Sequence, residues 1–174
     1  MTPERLQTFI RDVPDFPKPG IMFKDITPLL RSPEALEAAC AALAEPFRDQ
    51  GVTAVAAIES RGFIFGSVVA RNLGVGFIPI RKPGKLPWTK RRHEYVLEYG
   101  SDALEIHDDA LTPADRVVVI DDVLATGGTL GAAAHLVRGL GATLVGAAVV
   151  IELSFLNGRA KLGEDVRVHS VLRY

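Results

Sequence analysis

The sequence predicts an α/β domain in which a mostly parallel, twisted sheet is flanked by helices. From Gly51 onward, apolar runs of strand length alternate with Ala-, Leu- and Gly-rich helical stretches. The length of 174 residues suits one core of ordinary size, and 48% hydrophobic with 24% charged residues is the balance of a globular chain. No repeat, low-complexity tract or Ser/Gly linker divides the sequence, so residues 1–174 read as a single domain.

Thr2 followed by Pro3 is a helix-start signal, and Leu6, Phe9, Ile10 and Val13 fall on one face of the short helix expected to follow. Pro14, Pro17 and Pro19 then break the chain up to Gly20. Ser32 and Pro33 repeat the start signal, and Leu36, Cys40, Leu43 and Phe47 continue at helical spacing until Gly51, which puts Cys40 in the core. Val52 to Ile58 reads as a strand, Phe63 to Leu73 as a helix and Gly76 to Ile80 as a strand. Lys85 to Glu94 follows Gly and Pro breakers and has few apolar residues, the signature of a mobile loop. Tyr95 to Tyr99 and Ala103 to His107 read as paired strands bent around Gly100. Arg116 to Ile120 is the clearest buried strand, and a helix from Gly128 to Leu140, a strand from Thr143 to Ile151 and a strand near Val166 to Leu172 complete the chain. Strands separated by helices imply parallel pairing with right-handed crossovers, and such sheets hold ligands beyond the carboxyl ends of their strands.

With 20 Lys plus Arg against 21 Asp plus Glu, the net charge of -1 argues against a surface built for nucleic acid or anionic membrane. The charges cancel only in the sum: Ser60 to His93 holds eight basic residues and no acid, whereas Glu94 to Asp122 holds nine acids and one Arg. The charge-free runs Val123 to Val137 and Gly139 to Ile151 are shorter than the ~20 apolar residues of a membrane helix. Charges in Met1 to Asp12 do not suit an export signal, and one cysteine forms no internal disulfide, so a cytoplasmic compartment fits best. His93, His107, His135 and His169 show no ligand spacing.

After the strand Val117 to Ile120 come Asp121 and Asp122, then Val123-Leu124-Ala125-Thr126-Gly127-Gly128-Thr129, then a helix. The glycines let backbone N–H groups approach an anion, Thr126 and Thr129 add hydroxyl donors, and a helix N-terminus adds positive potential; together these suit a phosphate. No Lys follows Gly127-Gly128 and no G-x-G-x-x-G occurs, so neither a triphosphate P-loop nor a dinucleotide site is indicated. Adjacent carboxylates would repel a bare phosphate, whereas a sugar diol donating to them is a natural spacer, so the arrangement fits a ribose 5-phosphate.

The string Val118 to Thr129 closely resembles the phosphoribosyl-pyrophosphate (PRPP) motif of type I phosphoribosyltransferases. The blocks Asp15 to Pro28, Glu59 to Phe63, Ile80 to Pro87 and Leu97 to Gly100 look like those of the adenine phosphoribosyltransferases. The resemblance implies the type I phosphoribosyltransferase fold, with a lid loop and a small hood formed largely by the N-terminal segment. It also implies transfer of the 5-phosphoribosyl group of PRPP to adenine, giving AMP and pyrophosphate in purine salvage.

By that resemblance, Ala125, Thr126, Gly127, Gly128 and Thr129 hold the 5′-phosphate, and Asp121 with Asp122 take the ribose hydroxyls directly or through Mg²⁺. Mg²⁺ is expected mainly on PRPP oxygens and water, so no dedicated protein metal site is assigned. Arg61, in a turn held by a non-proline cis peptide in the family, and Arg81, Lys82 and Lys85 would meet pyrophosphate. Some of these contacts cross a subunit boundary in related enzymes, which implies a homodimer. Glu98 would assist proton movement at the imidazole edge of the purine, its alternative being an outward-facing strand residue. Phe23 would stack on adenine, with backbone groups of Met22 and Lys24 reading its amino edge; a plain core Phe is the alternative. The block Glu152 to Arg159 resembles a family segment near the base pocket, with its individual roles open. The competing functions are a phosphoribosyltransferase for another purine base and a PRPP-binding regulator without catalysis.

Overall fold

Short N-terminal elements come first because the chain there is punctuated by caps and prolines. The computed structural model describes residues 1–96, 101–163 and 166–174. Helix α1 (Pro3–Gln7) is capped by Thr2 and stops early, where the Thr8 hydroxyl turns back to the Arg5 carbonyl at 2.8 Å. The helical face expected to reach Val13 therefore breaks. Arg11–Pro14 instead forms β1, paired antiparallel with β2 (Met22–Asp25), with Val13 opposite Phe23. Phe9 and Ile10 still pack on the core. Helix α2 (Thr27–Arg31) follows, and then α3 (Pro33–Ala44), which ends in a 3-10 turn, Glu45–Phe47, rather than running unbroken toward Gly51.

The apolar runs then become β3 (Ala54–Ile58), β4 (Gly76–Ile80), β7 (Arg116–Leu124), β8 (Thr143–Glu152) and β9 (Val168–Arg173), a parallel sheet in the order β4-β3-β7-β8-β9. Helix α4 (Arg61–Leu73) connects β3 to β4, and α5 (Gly128–Gly139) connects β7 to β8. Between β4 and β7 lies an antiparallel hairpin, β5 (Lys90–Val96) and β6 (Ser101–His107). This corrects the loop expected over 85–94. Lys90 to Glu94 pair with β6, which supplies the buried Leu104 and Ile106, while their own mostly exposed side chains give no apolar alternation.

Period-two alternation along β7 explains why the sheet is covered on both faces. Val117 and Val119 face Leu130, Ala133 and Val137 of α5 and Leu104 of the hairpin. Val118 and Ile120 face Cys40 and Leu43 of α3 and Phe65 and Val69 of α4. Each of these fully buried valines contributes about 1.5–3 kcal/mol relative to exposure. Cys40 sits in this second layer, and burial pushes its thiol up to about 12, which makes it a packing residue.

Candidate active site

A pocket of about 400 Å³ opens at the carboxyl ends of β3 and β7, against the N-terminus of α5. Strand β7 carries its pairing with β8 past Ile120, joining Asp121 to Val149 and Leu124 to Glu152. The acidic pair thus lies within the strand rather than after it. Asp121 is 8% exposed and Asp122 5%. Burial raises both carboxyl pKa values; the charge of Asp122 raises Asp121 further, whereas Arg61 opposes the rise at Asp122. Arg61 Nε stands 2.9 Å from Asp122 Oδ2. The turn that presents Arg61 contains a cis peptide, Glu59–Ser60, as the resemblance implied. It presses close to β7: a Cβ on Gly62 would lie 3.0 Å from Asp121 Oδ1 and 3.1 Å from the Ile120 carbonyl oxygen.

The glycine loop is fixed from behind by a segment whose roles the sequence left open. Gly127 has φ +84° at the start of α5, and a Cβ there would run into the carbonyl oxygen of Gly158. A Cβ on Gly158 would in turn collide with the Ala125 carbonyl oxygen. Two backbones touch where side chains would normally separate them, so both positions require glycine. The next residue anchors this contact. Arg159 grips Glu152 with Nε–Oε1 at 2.6 Å and Nη2–Oε2 at 2.7 Å, and donates to the Val168 carbonyl at 2.8 Å. Ser170 donates to the same carboxylate at 2.6 Å. These bonds, led by Arg159, hold the Glu152 carboxyl at about 2.

On the opposite wall, Glu59 organises the basic segment. Its carboxylate accepts from Arg81 Nε at 2.8 Å and from the Lys82 backbone N–H at 2.6 Å. Arg81 is thereby committed to Glu59, and neither it nor the exposed Lys85 lines the pocket. Lys82 does, with Nζ 3.1 Å from Asp102 Oδ2, a contact that raises the lysine pKa. Tyr95 and Asp102, which sequence reasoning missed, also line the pocket. Burial raises the Tyr95 phenol pKa and keeps the hydroxyl protonated.

Phe23 reaches the site through Arg61, whose guanidinium lies 5.6 Å from its ring centroid, and Phe16 packs edge-on against the same ring at 5.1 Å. The Lys24 side chain turns away to Asp12 at 2.6 Å and to the face of Tyr174, and Met22 is exposed. Glu98 lies outside the described residues. The structure therefore brings together Arg61, Lys82, Asp121, Asp122 and residues 125–129, with Phe23 alongside, and leaves Arg81, Lys85, Met22 and the Lys24 side chain outside the pocket. Among the described residues, no group of three or more His, Cys, Asp or Glu side chains could hold a metal ion.

Known proteins share this sequence pattern and fold. The phosphoribosyl transferase domain model matches residues 26–170. The chain is 58% identical to the adenine phosphoribosyltransferase of Nitrosococcus oceani, over 98% of this chain and 99% of that protein. The adenine phosphoribosyltransferase structure from Rhodothermus marinus superposes with a TM-score of 0.94 at 53% identity, covering 99% of this chain and 98% of that one. The Saccharomyces cerevisiae enzyme, complexed with D-2,5-dideoxy-2,5-imino-altritol 1,6-bisphosphate and adenine, gives 0.92 at 40% identity over 98% of each chain. A full-length match at this identity, joined to the shared fold, means that the chain belongs to the adenine phosphoribosyltransferase family.

Proposed function

We propose that the protein transfers the 5-phosphoribosyl group of PRPP to adenine, forming AMP and releasing pyrophosphate. The observation that carries this reading is the convergence of a buried acidic pair, a glycine-rich helix N-terminus and Arg61 in one pocket. The 5′-phosphate occupies the N–H groups and hydroxyls of residues 125–129. The ribose diol donates to Asp121 and Asp122, whose negative charge favours the cationic ribosyl transition state. Pyrophosphate displaces Asp122 from Arg61 and meets Lys82; Arg81 and Lys85, which do not line this pocket, fit a role at the boundary of a homodimer.

The acidic pair supplies hard oxygens that suit Mg²⁺ carried mainly by substrate oxygens and water. When bound, the ion neutralises charge on the leaving pyrophosphate. Phe23 stacks on adenine beside Arg61, and backbone groups of Met22 and Lys24 read its amino edge. Glu98 assists proton movement at the imidazole edge as the base nitrogen attacks the anomeric carbon and the bond to pyrophosphate breaks. The whole chain acts as one cytoplasmic domain with an N-terminal hood.

A panel of adenine, hypoxanthine, guanine and xanthine with PRPP and Mg²⁺ tests this reading. Adenine should turn over at least roughly tenfold faster than any oxopurine, the discrimination expected when an oxopurine mispairs with the site's polar groups. An oxopurine that matched adenine would overturn the base assignment. Absence of pyrophosphate release with every base would leave a PRPP-binding regulator.

A further inference from the structure

The two proposed anion sites are connected by a polar chain that runs through the hairpin. Arg91, His93 and Tyr95 share one face of β5, and this face lies along α5. Arg91 donates to the Gly139 carbonyl at one end of the helix, His93 stacks on His135 with ring centroids 3.9 Å apart, and Thr129 donates to the Tyr95 hydroxyl at 3.3 Å at the other end. Tyr95 and Asp102 are cross-strand partners, and the Tyr95 hydroxyl donates to Asp102 Oδ2 at 3.4 Å. The same carboxylate oxygen takes Lys82 Nζ, while Oδ1 accepts from the Ala103 N–H at 2.8 Å.

Thr129 belongs to the phosphate end of the pocket and Lys82 to the pyrophosphate end, so one polar group at each end is already engaged from within. The two hydroxyl contacts are long beside the ~2.8 Å usual for O–H···O bonds, so they yield easily to a phosphate. We propose that Tyr95 and Asp102 form a two-ended latch on the β5–β6 hairpin, released fully only by a ligand carrying both a 5′-phosphate and a pyrophosphate. Ribose 5-phosphate takes Thr129 from Tyr95, pyrophosphate takes Lys82 from Asp102, and only PRPP takes both. Both residues are positioning residues, and the inference rests on the PRPP reading of the pocket.

Calorimetric titration with ribose 5-phosphate and, separately, with pyrophosphate plus Mg²⁺ tests the latch in the wild type, Tyr95→Phe and Asp102→Asn. Removing an internal competitor should tighten binding: Tyr95→Phe should bind ribose 5-phosphate roughly two- to fivefold more tightly, and Asp102→Asn should do the same for pyrophosphate, each leaving the other ligand within about twofold. The Asn side chain retains an oxygen for the Ala103 N–H. Unchanged or weaker binding in the variants, with both ligands bound by the wild type, overturns the latch alone, because a residue that merely supports the pocket cannot increase affinity when removed. A wild type that binds neither ligand overturns the PRPP reading as well. The wild type offers a test independent of the variants' folding, since Trp88, the sole tryptophan, is exposed two residues before β5. Its emission should shift with PRPP and not with either half-ligand; an equal shift with one half-ligand overturns the proposal.

Discussion

On one side of the pocket Gly127 and Gly158 meet backbone to backbone; on the other, the hairpin rests on α5 through Arg91, His93 and Tyr95. Nothing in the first contact can rotate away, because no side chain is present. Every contact in the second is made by a side chain with other staggered positions and, for Arg91, with solvent at hand. A group that must meet a phosphate in one fixed geometry gains from the first kind of construction, which removes reorganisation from the binding step. A wall that must exchange partners as substrate arrives gains from the second, whose individual pairs are weak. The walls should therefore respond differently to substitution and to pH.

The largest effect belongs to the backbone contact. Gly127→Ala adds a Cβ against the Gly158 carbonyl at φ +84°, so the loop must shift. Backbone strain and overpacking should together cost about 3 kcal/mol of stability. Displacing the phosphate donors should lower kcat/KM for PRPP on the order of a hundredfold. Thermal unfolding with steady-state kinetics measures both, and near wild-type values would show that the contact between the two glycines is not what fixes the loop.

Arg159→Ala tests the anchor behind that contact and should act less strongly. It leaves the carboxylate of Glu152, a residue 6% exposed, to Ser170 at 2.6 Å and the solvated Arg173 at 3.3 Å, and because Arg159 itself is also partly solvated the loss should be about 2 kcal/mol, below that of a fully buried pair. The PRPP KM should rise roughly tenfold as the loop loses its support. The pH dependence has a definite sign. Glu152 titrates near 4.5 when unfolded and at about 2 when folded, so its contribution is complete above 4.5 and is lost as pH falls toward about 2. The Tm gap between wild type and variant should be widest near neutral pH and should narrow by pH ~3. A constant gap would mean that Arg159 acts through packing alone.

The difference between the walls also decided what the sequence could reveal. Asp121 to Thr129 was legible because one contiguous string carries strand, carboxylates, glycines and helix start. Its support was not, because Gly158 and Arg159 come from the turn after the following strand and become meaningful only when β8 brings them back. The acidic pair was found but set beyond the strand; pairing of Asp121 with Val149 keeps it inside, which is why both carboxylates are buried. Strand β5 was missed from Lys90 to Glu94 because it borrows its apolar face from Leu104 and Ile106 of β6. Tyr95 and Asp102 depend on register, and a composition rich in charge gives no clue to register. The β1–β2 pair was hidden for a related reason: its four-residue strands have no alternation long enough to read, and Pro14 argues against a strand.

The smallest effect should arise where the hairpin wall meets α5 through two imidazoles. Burial, and then the neighbouring His135, holds His93 below its ordinary pKa, so the stack favours a neutral His93. A histidine with a lowered folded pKa stabilises the structure fully above its unfolded value of 6.5, and this contribution is lost as pH falls through the folded pKa. Hydrogen exchange corrected for intrinsic rates should therefore show β5 and β6 losing protection between pH ~7 and ~5, roughly threefold for an aromatic pair at the weak end of its range. His93→Phe keeps a ring against His135 and removes the imidazole whose pKa is lowered, so most of the pH dependence should disappear. Amides of the loop that opens α5 should keep their protection across the same range, because the contact between Gly127 and Gly158 is made by backbone alone. Parallel loss in that loop would mean that the two walls open as one unit, and the division between a fixed cradle and an exchangeable hairpin would then fail.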